Sequence, residues 1–193
     1  MQIRALCVYC GSSSQVSESH LRAARELGAL AARAKVDIVY GGGRVGLMGA
    51  LGEGALAAGG RVIGIIPEHL EVLEVGNRKS SEYIVVESMH ARKQLMAERS
   101  DAFCALPGGL GTLDETFEII TWRQLKLHDK PVILANIEGY WDPLLRLVEH
   151  QTAEGYLHGG SAGLFHVVER VDQVLEVAAK APRPALPDKI ERM

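Results

Sequence analysis

The stretch DAFCALPGGLGTLDETFEIITWRQLKL, residues 101–127, runs through three kinds of sequence in succession. "DAFCALP" (101–107) is apolar almost throughout and predicts a strand covered on both faces. Gly108, Gly109 and Gly111 follow Pro107 and predict a turn in which the backbone can approach a ligand closely. "TLDETFEIITWRQLKL" (112–127) predicts a helix. A two-sided strand that turns directly into a helix is half of a strand–helix–strand unit, whose strands pair in parallel.

The same alternation extends in both directions. Apolar runs predict strands at 3–10, 36–40, 61–67, 82–87, 130–136 and 164–168. Between them, helical patterns cover 17–35, 46–60, 89–100, 141–155 and 171–180, the first with Leu21, Ala24, Leu27 and Ala31 at helical spacing. Strands apolar throughout and separated by helices predict an α/β fold, a doubly wound Rossmann-like parallel sheet with helices on both faces. Residues 1–180 form a single domain on this reading. The remainder, "APRPALPDKIERM" (181–193), carries three prolines and no period, and is expected to be disordered or draped on the surface.

Composition narrows the function. Of 193 residues 47% are hydrophobic and 23% charged, with a net charge of -3, which is ordinary for a water-soluble globular domain and gives no reason to expect a nucleic-acid polymer. No apolar run approaches the ~20 residues that span a bilayer. Met1-Gln2-Ile3-Arg4 leads into a strand-like run, not a signal peptide. Three cysteines, Cys7, Cys10 and Cys104, sit in apolar runs, which suggests reduced thiols and a cytoplasmic setting. Cys7 and Cys10 spell C-x-x-C, but Cys7 lies inside a strand rather than at a helix start, so plain packing is expected. Seven scattered histidines have no metal-ligand spacing, and no metal or cofactor is expected.

In doubly wound sheets ligands bind beyond the carboxyl ends of the strands. Three small-residue turns fall there: Gly11-Ser12-Ser13, Gly41-Gly42-Gly43 and Pro107-Gly108-Gly109. "GGGRVG" (41–46) matches G-x-G-x-x-G, but the next strand ends Ile66-Pro67-Glu68, late for the ribose-binding acid of a dinucleotide site. A mononucleotide or sugar phosphate near the amides fits better; a tight turn with a closely packed helix is the plain alternative. His90, Arg92 and Lys93 lie in the first turn of the 89–100 helix, where positive charge opposes the helix dipole. A bound anion would reverse that penalty. Arg92 also shares a face with Leu95 and Met96, which turns it inward. Thr112 and Glu115 match a capping box, so Glu115 has a structural reading beside a functional one.

"SMHARK" (88–93) followed by "LPGGLGTLDE" (106–115) resembles the signature of the Lonely Guy family, cytokinin riboside 5'-monophosphate phosphoribohydrolases long mislabelled as lysine decarboxylases. The family pattern P-G-G-x-G-T-x-x-E is complete from Pro107 to Glu115, and M-x-x-R-K from Met89 to Lys93. "CGSS" (10–13), "GGGRVGLMG" (41–49) and "GIIPEHL" (64–70) also fit. Asp114 stands where many members carry Glu. The resemblance implies cleavage of an N-glycosidic bond by Arg92 and Glu115 as the catalytic pair. It implies substrate contacts from Met89, Lys93, Gly108, Gly109, Leu110, Gly111, Thr112, Leu113 and Asp114, with Ser12, Gly42 and Gly43 from the other turns. The substrate would be a nucleoside 5'-monophosphate, no metal would be needed, and the protein would be a homodimer. General cleavage of purine nucleotides such as AMP, and non-enzymatic binding of a nucleotide or phosphorylated cofactor, remain as alternatives. Decarboxylation through a pyridoxal Schiff base is disfavoured, because no lysine stands in a suitable setting.

Overall fold

The chain runs β1 (Ala5–Tyr9), α1 (Glu18–Arg33), β2 (Asp37–Tyr40), α2 (Gly46–Ala57), β3 (Val62–Pro67), α3 (Glu68–Glu71), β4 (Glu82–Val86), α4 (Met89–Glu98), β5 (Ala102–Ala105), α5 (Leu110–Gln124), β6 (Val132–Ala135), α6 (Asp142–Ala153), β7 (His166–Val168) and α7 (Val174–Lys180). This is a computed structural model, and it describes residues 2–71, 76–157 and 163–181. The expected tail, apart from Ala181, lies outside the described residues.

Among the described residues seven strands form one parallel sheet in the order β4-β3-β2-β1-β5-β6-β7. The chain winds outward from β1 to β4, crosses back beside β1, and winds outward again from β5 to β7. The direction reverses between β1 and β5, where Val8 pairs with Cys104 and Tyr9 with Ala105. Consecutive crossovers leave that point on opposite faces, which opens a crevice beyond the strand ends. The glycine turn of 107–111 lies at this crevice, and so does the 11–13 turn.

The five inner strands, β1, β2, β3, β5 and β6, are buried on both faces, as their unbroken apolar runs require, while the edge strands β4 and β7 leave Val85 and Val167 exposed. In β1 and just after it, Leu6, Val8 and Cys10 face the core formed with α1, α2 and α7. Cys7 and Tyr9 face the core formed with α4 and α5, and α6 closes the sheet edge around Trp141 and Leu144. Strand pleating thus sends Cys7 and Cys10 to opposite faces. All three thiols are free and buried, and burial pushes the Cys104 thiol up to about 12 and the other two well above their ordinary value.

Two expected boundaries move. Helix α5 begins at Leu110, with Gly109 as its N-cap and no side-chain cap. Thr112 lies inside the first turn, so the expected capping box with Glu115 does not form. The final strand shortens to His166–Val168, and a 3-10 turn over Val171–Gln173 precedes α7. No helix among the described residues is long and apolar enough to cross a membrane.

Helices α1 and α2 touch backbone to backbone. A Cβ on Gly28 would lie 2.2 Å from the carbonyl oxygen of Leu51, and one on Gly54 would lie 2.0 Å from that of Arg25. The small residues of α2 allow this approach, which places the start of α2 against the 11–13 turn; the Leu47 amide donates to the Gly11 carbonyl at 3.0 Å. Gly54→Ala is expected to push the helices apart at a cost of about 2 kcal/mol, the usual scale of overpacking. A thermal melt should then fall by roughly 4–8 °C in a chain of this size.

Candidate active site

Helix α4 is capped by Ser88, whose Oγ accepts the Ala91 amide at 3.1 Å. Its first turn holds no acid. One turn in, Arg92 is only 3% exposed, and its guanidinium runs inward beneath the ends of β2 and β3. Nε donates to the Ile65 carbonyl and Nη2 to the Gly41 carbonyl, each at 3.1 Å. These carbonyls satisfy its donors without neutralising its charge. The counter-charge comes from α5: Nη1 lies 3.8 Å from Oε1 of Glu115, itself 5% exposed. An isolated buried charge is costly, so the two ions depend on each other and on the carbonyls. Room for the guanidinium exists because residue 41 is glycine: a Cβ there would sit 1.8 Å from Nη2.

The start of α5 forms the opposite wall. Leu113 is the first residue whose amide reaches back into the helix, donating to the Gly109 carbonyl at 3.0 Å. The amides of Gly109, Leu110, Gly111 and Thr112 precede it, in positions where a helix offers no carbonyl partner and the dipole favours an anion. The glycines here differ in purpose. A Cβ on Gly108 would collide with Thr112 Oγ1 at 2.1 Å and the Gly11 amide at 2.9 Å, so packing demands glycine. A Cβ on Gly109 or Gly111 would meet no protein atom within 4 Å, and neither residue has a positive φ. The protein's own packing makes no demand at these two positions, and the space above them stays open.

That space belongs to a cavity of about 350 Å³, lined by Arg92, Glu115 and Gly109–Thr112, with Met89 and Ser12 at its sides. Beneath it, burial holds the Tyr9 phenol and Cys10 thiol neutral, and the negative charge of Glu115 pushes both the same way. The cavity therefore presents a fixed cation, a carboxylate and a helix start within one small volume.

Other expected site residues lie elsewhere. The Gly42 carbonyl accepts the Asn77 amide at 2.8 Å, and Gly43 bridges Gly76, so this pair ties down the 76–77 segment behind Arg92. Gly42 has φ +77°, a conformation suited to glycine. Lys93 does not line the cavity: its Nζ sits 3.1 Å from both Asp114 and Glu118. Burial lowers the Lys93 pKa, but the hydrogen bonds it donates to these two acids, with their negative charge, outweigh it and leave the pKa raised. Leu113 packs with Phe117 against the α6 cluster. Gly11 of the expected 11–13 turn lines the cavity, and so do Cys10, Met48 and Leu70, which the sequence did not single out as contacts. Cys10 adjoins the small-residue turn, which was a usable signal; Met48 and Leu70 look like ordinary apolar helix residues. Among the described residues no three His, Cys, Asp or Glu groups are placed to hold a metal ion.

Residues 48–178 match a family model described as "Possible lysine decarboxylase". A probable cytokinin riboside 5'-monophosphate phosphoribohydrolase of Oryza sativa subsp. japonica is 49% identical over 164 residues, covering 85% of this chain and 72% of its own length. The Arabidopsis thaliana enzyme named cytokinin riboside 5'-monophosphate phosphoribohydrolase is 42% identical, with 93% and 83% covered. A protein of the same name from Rhodococcoides fascians is 45% identical, with 80% and 78% covered. Among solved structures, the molybdenum cofactor carrier protein of Chlamydomonas reinhardtii superposes with a TM-score of 0.72 at 24% identity, over 93% of this chain and 98% of that one, and shares the fold.

The open space over Gly111 gives a test of ligand approach. Gly111→Ala should leave folding unchanged or stabilise the helix by up to ~1 kcal/mol. It should weaken binding of ribose 5-phosphate in calorimetry, because the new methyl group occupies the cavity. An unchanged affinity would mean that no ligand uses the space above this turn.

Proposed function

We propose, because this chain belongs to the Lonely Guy family of cytokinin riboside 5'-monophosphate phosphoribohydrolases, that it hydrolyses the N-glycosidic bond of N6-modified adenosine 5'-monophosphates, releasing free base and ribose 5-phosphate. The observation that carries this reading is the buried Arg92–Glu115 pair, 3.8 Å apart, in one cavity with the open start of α5. A helix start attracts phosphate and a carboxylate repels it, so the two suit different ends of one ligand. The amides of 109–112 receive the 5'-phosphate. Glu115, one turn further along α5, faces the sugar. As the bond to the purine breaks, its electron pair leaves with the base and positive charge builds on the ribose. The carboxylate stabilises that charge, and takes a proton from the water that attacks the sugar carbon. The departing purine takes a proton from solvent and Glu115 later returns to solvent the proton it took from water, so one water is consumed and the charges balance. Arg92 is held by two backbone carbonyls, of Gly41 just after β2 and of Ile65 in β3, and this supports a role in fixing Glu115 rather than in reaching for the phosphate.

Amino-acid decarboxylation is disfavoured on chemistry. A Schiff-base lysine must lose its proton to attack, whereas Lys93 is held as an ammonium by Asp114 and Glu118. A cofactor carrier on this fold would use the glycine turns but would have no need of a buried carboxylate, and Glu115 supports hydrolysis instead. Cleavage of unmodified AMP uses the same machinery; the apolar Met48, Leu70 and Met89 side chains around the cavity support a substrate with an apolar substituent on its base.

Buried, unlinked thiols support a reducing cytoplasmic setting. Leu125 and Leu127 are exposed beyond the end of α5, next to the half-buried Trp122, and this apolar patch supports a homodimer. Light scattering at micromolar concentration is expected to give twice the chain mass; a monomer mass would remove the dimer.

The reaction itself is tested by incubating the protein with isopentenyladenosine monophosphate, AMP and the unphosphorylated riboside, and measuring free base. Release is expected from the first, with the riboside slower by several orders of magnitude, since each charge-assisted phosphate contact contributes roughly 1.5–3 kcal/mol. Glu115→Gln keeps the side-chain size and removes the charge, and turnover should drop about 100-fold or more. Near-normal turnover by that variant would end the catalytic assignment of Glu115.

A further inference from the structure

The loop joining β6 to α6 is built to hold one hydroxyl over the glycine turn. Asn136 closes the loop on itself: its Oδ1 accepts the Trp141 amide at 2.6 Å, and its Nδ2 donates to Asp142 at 2.8 Å. Glu138 sits at φ 54°, a left-handed conformation that a glutamate rarely adopts and that requires local support. The support is the start of α1: Ser19 Oγ donates to Glu138 Oε2 at 2.8 Å, and His20 lies 3.9 Å from the same oxygen. Next in line, Tyr140 packs edge-on against His20 and Trp141, with ring centres 5.4 and 4.9 Å away. Its hydroxyl donates to the Gly108 carbonyl at 2.7 Å.

We infer that Tyr140 is a positioning residue for the phosphate cradle: by holding the Gly108 carbonyl on its own side of the turn, it aims the Gly109 amide into the cavity that contains Arg92 and Glu115. The peptide group is planar and trans, so a carbonyl fixed in one direction sends the N–H that shares its plane in the other. Gly109 borders two cavities, one of about 240 Å³ that Tyr140 lines and one of about 350 Å³ that Arg92 and Glu115 line. A peptide between two glycines is the least restrained against flipping, because neither flank has a Cβ. Packing holds Gly108 against Thr112 and Gly11, but the carbonyl direction depends on the tyrosine. A flipped peptide would present an oxygen to the phosphate in place of a donor. This inference rests on the phosphate binding at the start of α5, as proposed above.

Tyr140→Phe removes the hydroxyl and keeps the ring packing. Ribose 5-phosphate and isopentenyladenine are titrated separately into the wild type and the variant by calorimetry, and the kinetics of isopentenyladenosine monophosphate cleavage are measured on both. Affinity for ribose 5-phosphate is expected to fall roughly tenfold or more, the scale of one charge-assisted hydrogen bond. Affinity for the free base and the melting temperature should hold. KM should rise with little change in kcat, the mark of a contact made equally in ground and transition states. Equal affinity of the two proteins for ribose 5-phosphate would overturn the clamp, and so would equal weakening toward both ligands. A wild type that binds ribose 5-phosphate but cleaves nothing would overturn the reaction alone, and the two affinities would still decide the clamp. A wild type that does not bind ribose 5-phosphate would overturn the clamp and the phosphate placement together.

Discussion

A guanidinium buried beneath the carboxyl ends of two parallel strands organises this molecule's functional end. Arg92 donates to Gly41, just after β2, and to Ile65, which lies inside β3 but past its last pairing with β2 at Gly64. Those bonds are available because strand ends leave carbonyls that the ladder no longer uses. A buried cation next demands an anion, and Glu115 on α5 supplies it from across the cavity. Helices α4 and α5 are thus set relative to each other by a charge pair as well as by the apolar core that Met96 and Ile119 share. The cavity lies where these constraints leave a gap.

The arrangement accounts for a run of sequence that looks self-defeating. Glycine amides that attract phosphate lie a few residues from Asp114, Glu115 and Glu118. Helical geometry separates them. Glu115 turns inward to Arg92, while Asp114 and Glu118 turn to Lys93 outside the cavity. The acids nearest in sequence to the open amides of 109–112 are each committed to a cation, so they do not cancel the field of the helix start. The two basic residues of "HARK" are divided in the same way, Arg92 inward and Lys93 outward.

Glycine has three separate uses within this site. Gly41 makes room for Arg92, Gly108 makes room for Thr112 and the β1 turn, and Gly109 and Gly111 leave room for something that is not protein. The first two uses are architectural, and substitution there disturbs the fold around the site. The third use concerns the ligand alone. One motif therefore combines residues whose replacement threatens stability with residues whose replacement threatens only binding.

The order of the strands and of every helix but the four-residue α3, and the two-sided burial of the inner strands, were legible from residues 3–180 because apolar runs and helical spacing are local properties of the chain. Arg92 was marked because a charge on the apolar face of a helix conflicts with its neighbours in sequence alone, whereas spacing left Glu115 open between two readings and only the family pattern at 107–115 singled it out. The capping box, the structural alternative for Glu115, falls for the converse reason. Thr112 and Glu115 satisfy its spacing, but Gly109 starts the helix one turn earlier, and only the packing of Gly108 against Gly11 decides where the chain can turn. Lys93 has a similar lesson: its position suggested phosphate, while its partners Asp114 and Glu118 lie on another helix. Met48 and Leu70 fell inside stretches that fit the family pattern but were not marked as contacts, and Tyr140 was not marked at all, because an apolar or aromatic residue shows its role only once distant segments meet. The chain determined its elements and its chemical groups by local patterning; the tertiary structure alone decided which of those groups share a cavity, because parallel crossovers bring together strand ends far apart in sequence.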